Sequence, residues 1–208
     1  MERGRGQPDG DELIILCKLL NVHLKDFYGD EFDNHFARIG NHEMSGVSFY
    51  WDPSSGRSAS DGSVCALVYR DDKNSIVFVH DLLYITVADD DLYPLANQCE
   101  SVLDFMQKHN LIKIGIEING IGNALPEIIR NVATKKQMSI NIVQIANHTK
   151  KETRILNAIE PILTTGRLYM HEKIKQTMLL SEMLAWTPMG SNEHDDGLDA
   201  VAGALSMT

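Results

Sequence analysis

Several carboxylates in this sequence stand where an ionised group is costly unless it has a partner. Asp52 closes the apolar run Val47-Ser48-Phe49-Tyr50-Trp51 and precedes Pro53. Glu117 lies inside Ile114-Gly115-Ile116-Glu117-Ile118, among side chains that bury, so its charge there must be paired, hydrogen-bonded or metal-bound. The third group is His194-Asp195-Asp196-Gly197-Leu198-Asp199-Ala200. Asp196 and Asp199 are spaced i and i+3, so at a helix start they project from one face, and Asp195 is placed to cap the first turn or to join them. An all-oxygen set of this kind suits Mg²⁺ or Mn²⁺, which prefer carboxylates to Cys or His ligands. Two such ions about 3.5–4 Å apart can activate a water and stabilise the leaving oxygen in phosphodiester hydrolysis. Each acid also has an ordinary reading: Asp52 as a turn residue before Pro53, Asp195 or Asp196 as an N-cap, Glu117 as a solvent-facing residue on an edge strand. Their joint occurrence favours the metal reading, with Asp52, Glu117 and Asp196 as the catalytic candidates and Asp195 and Asp199 as further ligands.

The elements that must position these acids follow from the apolar patterning. Residues 47–51, 64–69 and 76–83 predict three strands joined by polar turns such as Arg70-Asp71-Asp72-Lys73-Asn74, paired as antiparallel hairpins. From Asp91 the period lengthens: Leu92, Leu95, Cys99, Val102, Leu103 and Met106 predict an amphipathic helix ending near Lys108-His109-Asn110. Residues 112–118 then read as a strand, 124–134 as a helix and 140–145 as a strand, an alternation that implies parallel crossovers. Residues 152–163, 174–186 and 197–207 read as helices, the last rich in small residues (Ala200, Ala202, Gly203, Ala204) that allow close packing on a sheet. The fold class is α/β: a mixed sheet, three antiparallel strands followed by parallel strands, flanked by helices. A doubly wound dinucleotide fold is disfavoured, because Gly120-Ile121-Gly122 is followed by Leu125 where a third glycine belongs. No Gly-x-x-x-x-Gly-Lys-Ser/Thr motif is present. Residues 1–45, with an apolar stretch at 13–20 and an acidic continuation, are expected to form a leader or linker with a short helix, and 46–208 one domain.

Charge limits the partners. The net charge of −10 argues against tight unassisted binding to DNA, whose phosphates call for Lys and Arg. The distribution softens this, since residues 135–175 gather Lys135, Lys136, Lys150, Lys151, Arg154, Arg167, Lys173 and Lys175 into a locally basic stretch. A pocket that collects acids for metal ions also lowers the net charge until the ions bind. Cys17, Cys65 and Cys99 lie far apart in apolar runs, as buried free thiols of a reducing compartment do. The absence of a long uncharged apolar run disfavours a membrane span or secretory signal, and the expectation is a soluble intracellular protein.

Asp52-Pro53 with Ser60-Asp61-Gly62-Ser63, Ile116-Glu117-Ile118-Asn119-Gly120-Ile121-Gly122, Lys150-Lys151-Glu152-Thr153-Arg154-Ile155, Gly166-Arg167-Leu168 and the acidic motif at 194–200 occur in a particular order and spacing. Together they resemble the nuclease domain of tailed-bacteriophage and prophage terminase large subunits, from residue 47 to the C-terminus. The resemblance implies a ribonuclease H-like fold and a DNA endonuclease using two Mg²⁺ or Mn²⁺ ions to cut concatemeric viral DNA during genome packaging. It implies metal ligation by Asp52, Glu117 and one or both of Asp195 and Asp196, with Asp199 accessory and Asp61 a supporting or second-metal acid. Lys150, Lys151, Arg154 and Arg167 would meet the DNA backbone; for Lys151 and Arg154 the ordinary alternative is a solvated helix start. The implied partners are double-stranded DNA, an ATPase motor domain, a portal and a small terminase subunit, in the cytoplasm of a bacterial host and away from membrane. Without a P-loop here, the motor would be on another chain or removed, and residues 1–45 would be a remnant of the connection to it. Two other readings compete: a Holliday-junction resolvase of the same fold, and a non-catalytic ribonuclease H-like docking module. Asn119-Gly120 after Glu117 and the Lys-x-x-Arg segment favour the terminase, and a docking module predicts no metal binding.

Overall fold

Before residue 46 the described strands are each two residues long. A computed structural model describes residues 27–28, 32–33, 38–56, 62–189 and 194–207, and its first elements are β1 (Phe27–Tyr28), β2 (Phe32–Asp33), β3 (Arg38–Ile39) and β4 (His42–Glu43). β2, β3 and β4 make a small antiparallel sheet. Ile39 and Met44 are buried in the main core. The helix expected at 13–20 lies outside the described residues, as does Cys17, whereas Cys65 and Cys99 are buried free thiols.

The three apolar runs that follow become β5 (Gly46–Asp52), β6 (Ser63–Asp71) and β7 (Ile76–Ile85). β5 pairs antiparallel with β6, from Gly46↔Arg70 to Asp52↔Val64, and β6 with β7, from Ser63↔Ile85 to Asp71↔Ile76. This register sets Asp52, Val64 and Tyr84 side by side at one end of the sheet. β6 lies between the other two and is covered on both faces, which is why its sequence runs apolar without alternation.

On the other side of β5 the chain crosses over in parallel. α1 (Pro94–Lys108) leads into β8 (Lys113–Glu117), and α2 (Leu125–Lys135) into β9 (Asn141–Ile145). β8 pairs with β5 (Trp51↔Ile116) and β9 with β8 (Glu117↔Ile145), both parallel. α3 (Lys151–Thr164) then returns over the opposite face. Because side chains alternate along a strand, β5 serves two cores: Phe49 and Trp51 pack with Val102, Leu103 and Ile129 of α1 and α2, while Tyr50 packs with Ile155 and Ile159 of α3 and the final helix.

Two expectations are corrected. Residues 168–171 form an unanticipated strand, β10 (Leu168–His171), parallel to β7 (Leu168↔Val77), with β1 outside it, so that among the described residues the sheet has seven strands in the order β1-β10-β7-β6-β5-β8-β9. Four residues carry no readable period; the open edge of β7 supplies the ladder that makes them a strand. The helix expected over 174–186 is interrupted. A 3₁₀ turn, Glu172–Gln176, ends at extended Thr177, whose Oγ1 accepts from the Leu179 amide before α4 (Leu179–Ala185) begins. The last element is α5 (Asp196–Ser206), as its small residues require: a Cβ on Gly203 would fall 2.2 Å from the Tyr50 ring. Among the described residues no helix is long and apolar enough to cross a membrane.

Candidate active site

Asp52 is the last residue of β5 and Glu117 the last of β8, and the parallel register that pairs Trp51 with Ile116 sets these acids at neighbouring strand ends. Asp196 and Asp199 come from the first turn of α5, which lies across β5 and β6. All four line one cleft of about 290 Å³, closed by the loops after β8 and β9 and by Lys151 and Arg154 of α3. Carboxyl ends of parallel strands are where open α/β sheets form their sites, because the strand ends expose backbone and loops there without disturbing the core.

Each acid is held by particular partners. Glu117 is buried on a strand flanked by β5 and β9, so it is not an edge residue. Its Oε2 accepts from the Tyr50 hydroxyl at 2.6 Å and from Asn147 Nδ2 at 2.8 Å. Asn147 is itself fixed by a reciprocal pair: its amide donates to Asn119 Oδ1 (3.1 Å) and its carbonyl accepts from Asn119 Nδ2 (2.6 Å). Asp196 Oδ2 accepts from the Gly62 amide at 2.7 Å. Asp199, 2% exposed, accepts from Arg154 Nε at 2.8 Å and Nη2 at 2.6 Å, and Arg154 Nη2 also lies 3.5 Å from Glu117. Lys151 Nζ stands 2.6 Å from Asp195, 3.2 Å from Asp196 and 3.8 Å from Asp199. The Asp195 side chain therefore pairs with Lys151 and makes no cap hydrogen bond. Half-buried Asp52 is followed by a loop that Gln98 of α1 grips, its Nε2 donating to the carbonyls of Ser54 and Ser55.

The electrostatics follow from crowding. Burial, then the neighbouring Asp199 and Glu117, push the Asp52 carboxyl well above its usual range. Burial also raises Asp199, against the pull of Arg154 and Lys151. For Lys151, burial lowers the ammonium pKa, but Asp195, Asp199 and Asp196 outweigh it and the net shift is upward. Burial and Glu117 raise the Tyr50 hydroxyl. Asp52, Glu117, Asp195, Asp196 and Asp199 outnumber Lys151 and Arg154, so the cleft retains negative charge that a proton or a further cation would relieve. The donor chemistry, all carboxylate oxygen, fits a hard divalent ion. Among the described residues no three acids, His or Cys converge as a ready ligand set; Lys151 and Arg154 sit among the carboxylates instead.

Not every residue singled out in the sequence reaches this place. Lys150 is exposed at the start of α3, beside the cleft. Arg167 is exposed just before β10, and its carbonyl accepts from the Val77 amide near the start of β7, at the far end of the sheet from Asp52. Asp61 lies outside the described residues, and its neighbour Gly62 borders the cleft. The partners Tyr50, Asn147 and Gln98 were missed. Tyr50 had a signal, since strand periodicity puts it on the same face as Asp52. Asn147 follows a parallel strand at its carboxyl end, also a readable position; Gln98 had none.

The family model described as "Terminase Bacteriophage T7, Ribonuclease H-like domain" matches residues 52–168, a span that contains Asp52, Glu117, Lys151 and Arg154 and ends before α5. Among solved structures, the P22 large terminase nuclease domain superposes with a TM-score of 0.61 at 10% identity, covering 91% of each chain. The human cytomegalovirus terminase nuclease domain gives 0.59 at 13% identity, covering 91% of this chain and 92% of that one. The nuclease domain of g2p, the large terminase of bacteriophage SPP1, solved with bound Mn, gives 0.51 at 12% identity, covering 86% and 95%. At these identities the shared property is the fold. No curated protein matches the chain.

Proposed function

The chain belongs to the family described as "Terminase Bacteriophage T7, Ribonuclease H-like domain", and from that premise we propose that it is a divalent-metal-dependent endonuclease that cuts concatemeric viral DNA during genome packaging. The observation that carries this reading is the meeting of Asp52, Glu117, Asp196 and Asp199 in one cleft, faced by Lys151 and Arg154. Asp52, Glu117 and Asp196 would hold two Mg²⁺ or Mn²⁺ ions. Asp195 and Asp199 would be further ligands, and Asp61 a supporting or second-metal acid. The Mn bound in the SPP1 nuclease domain supports this choice of ion. When bound, such ions supply a more acidic water and neutralise charge on the departing 3′ oxygen.

The rest is done by the chain's own groups. Tyr50 and Asn147 fix the Glu117 carboxylate before any ion arrives, so little reorganisation is left for the reaction. Gly62 fixes Asp196 in the same way. Lys151 and Arg154 line the same cleft, where Arg154, freed from Asp199, could grip a phosphate through two parallel N–H donors. Lys150 adds charge at the rim. The net charge of −10 leaves DNA affinity weak in isolation, which fits a nuclease that receives its substrate from an ATPase motor, a portal and a small terminase subunit in the host cytoplasm.

Cleavage of supercoiled plasmid tests the proposal, with EDTA, Mg²⁺ or Mn²⁺ and with Asp52→Asn and Glu117→Gln beside wild type. Metal-dependent cutting lost in both variants is the expected result. Preference for four-way junctions over linear duplex would favour a resolvase. Wild-type protein that neither cuts nor binds metal would leave a docking module.

A further inference from the structure

Helix α5 carries Asp196 and Asp199, yet it has no cap of its own: Asp195, at its N-cap, makes no side-chain hydrogen bond to the first turn. Free amides at a helix start need acceptors, and a carboxylate there also meets the positive end of the helix dipole. The acceptor comes from another helix. Glu182 of α4, 3% exposed, takes the Leu198 amide on Oε2 at 3.0 Å, with the Gly197 amide also bonded to it, while its Oε1 accepts from the Tyr84 hydroxyl at 3.0 Å. Tyr84 stands on β7 in the row of Asp52 and Val64. The packing leaves no slack: a Cβ on Gly197 would lie 2.0 Å from the Tyr84 hydroxyl oxygen and 2.6 Å from Glu182 Oε2. On its other side, the same turn is tied by Asp196 to the Gly62 amide.

The geometry points to Glu182, braced by Tyr84, as the positioning residue that sets the height and rotation of the first turn of α5 and so aims Asp196 and Asp199 into the cleft. Glu182 touches none of the reacting groups. It lies with α5 beyond the family-matched residues 52–168. A buried carboxylate in this place has no alternative partner in water, so the contact is made whenever the domain is folded. Its removal frees the turn to rise or rotate, and a ligand displaced by a fraction of an ångström binds metal less well. The inference rests on the reading of the cleft as a divalent-metal site.

The test is Mn²⁺ affinity, followed by electron paramagnetic resonance of free Mn²⁺, in wild type, Glu182→Ala, Glu182→Gln and Tyr84→Phe, each at a temperature where circular dichroism shows it folded. Glu182→Ala is expected to weaken Mn²⁺ binding about 10- to 100-fold, the usual effect of losing a group that orients a ligand. Glu182→Gln should stay within about threefold of wild type, because its amide can accept from Leu198 and donate to the tyrosine oxygen. Tyr84→Phe should weaken binding about fivefold, roughly one hydrogen bond's worth; it carries the test if Glu182→Ala does not fold. Unchanged affinity in Glu182→Ala or Tyr84→Phe, or equal losses in the Ala and Gln variants, would overturn the positioning role. Wild-type protein that binds no Mn²⁺ would instead overturn the metal reading of the cleft, and this inference with it.

Discussion

Replacing Arg154 with Met keeps the aliphatic stem and removes the guanidinium that holds Asp199. The Asp199 side chain is 3% exposed and that of Arg154 11%, and two donors hold it: Nε at 2.8 Å and Nη2 at 2.6 Å both reach Oδ1, and Nη2 reaches Oδ2 as well. Breaking a buried pair from one side leaves an uncompensated charge, which costs about 3–5 kcal/mol. Lys151, 3.8 Å from Asp199, offsets part of this, so the lower end, about 3 kcal/mol, is expected. For a domain of this size that is about 6–12 °C in Tm. Burial already raises the Asp199 carboxyl, and loss of Arg154 raises it further. The penalty is therefore full at alkaline pH and shrinks as pH falls and Asp199 takes up a proton. A cation bound at the cleft would neutralise the same carboxylate, so Mn²⁺ should raise the variant's Tm by more than it raises that of wild type. The assay is thermal unfolding at pH 8 in EDTA and in Mn²⁺. A variant melting with wild type in EDTA would refute the charge argument, and equal Mn²⁺ increments in the two proteins would refute the claim that arginine and metal share a carboxylate.

Three further outcomes can be checked. Burial pulls the His80 pKa down to about 3, with Lys173, His109 and His171 adding to the effect, while the unfolded chain protonates near 6.5. The unfolded state thus binds the proton first, and stability climbs with pH between those values; urea titration should show about 2 kcal/mol less stability at pH 5 than at pH 7.5, a slope that His80→Gln flattens. Asp81 acts lower in the range: burial opposes its ionisation, but hydrogen bonds from His109 and Lys173 prevail and hold it well below the usual carboxylate range. Its contribution is present above about pH 4 and is lost as acid titrates it. Asn147→Ala removes one of the donors on Glu117 and should lower the plasmid-cleavage rate about 10-fold with little change in fold; an unchanged rate would separate Asn147 from the site.

Patterning within about fifteen residues was enough to fix most elements of this protein. The period-two and continuous apolar runs became β5, β6 and β7, and the helical spacing from Leu95 to Met106 became α1, because those periods report which face of a local element is buried. Asp52 and Glu117 were legible for a related reason, since a carboxylate at or inside an apolar run is costly enough to need a purpose, and Asp196 and Asp199 through their i, i+3 spacing at a helix start. What the local pattern could not contain was the choice of partner. Tyr50 meets Glu117 across 67 positions of sequence, Asn147 meets Tyr50 across 97, and Gly62 meets Asp196 across 134. β10 is a strand only because β7 offers it an edge, and the break at Thr177 frees α4 to present Glu182 to α5. Lys151 and Arg154 read as phosphate-binding cations at a helix start. Only the tertiary structure decides that, with no DNA present, the strongest negative charge they face is the protein's own, because a charge pairs with what the fold brings within reach and not with what its sequence neighbours suggest.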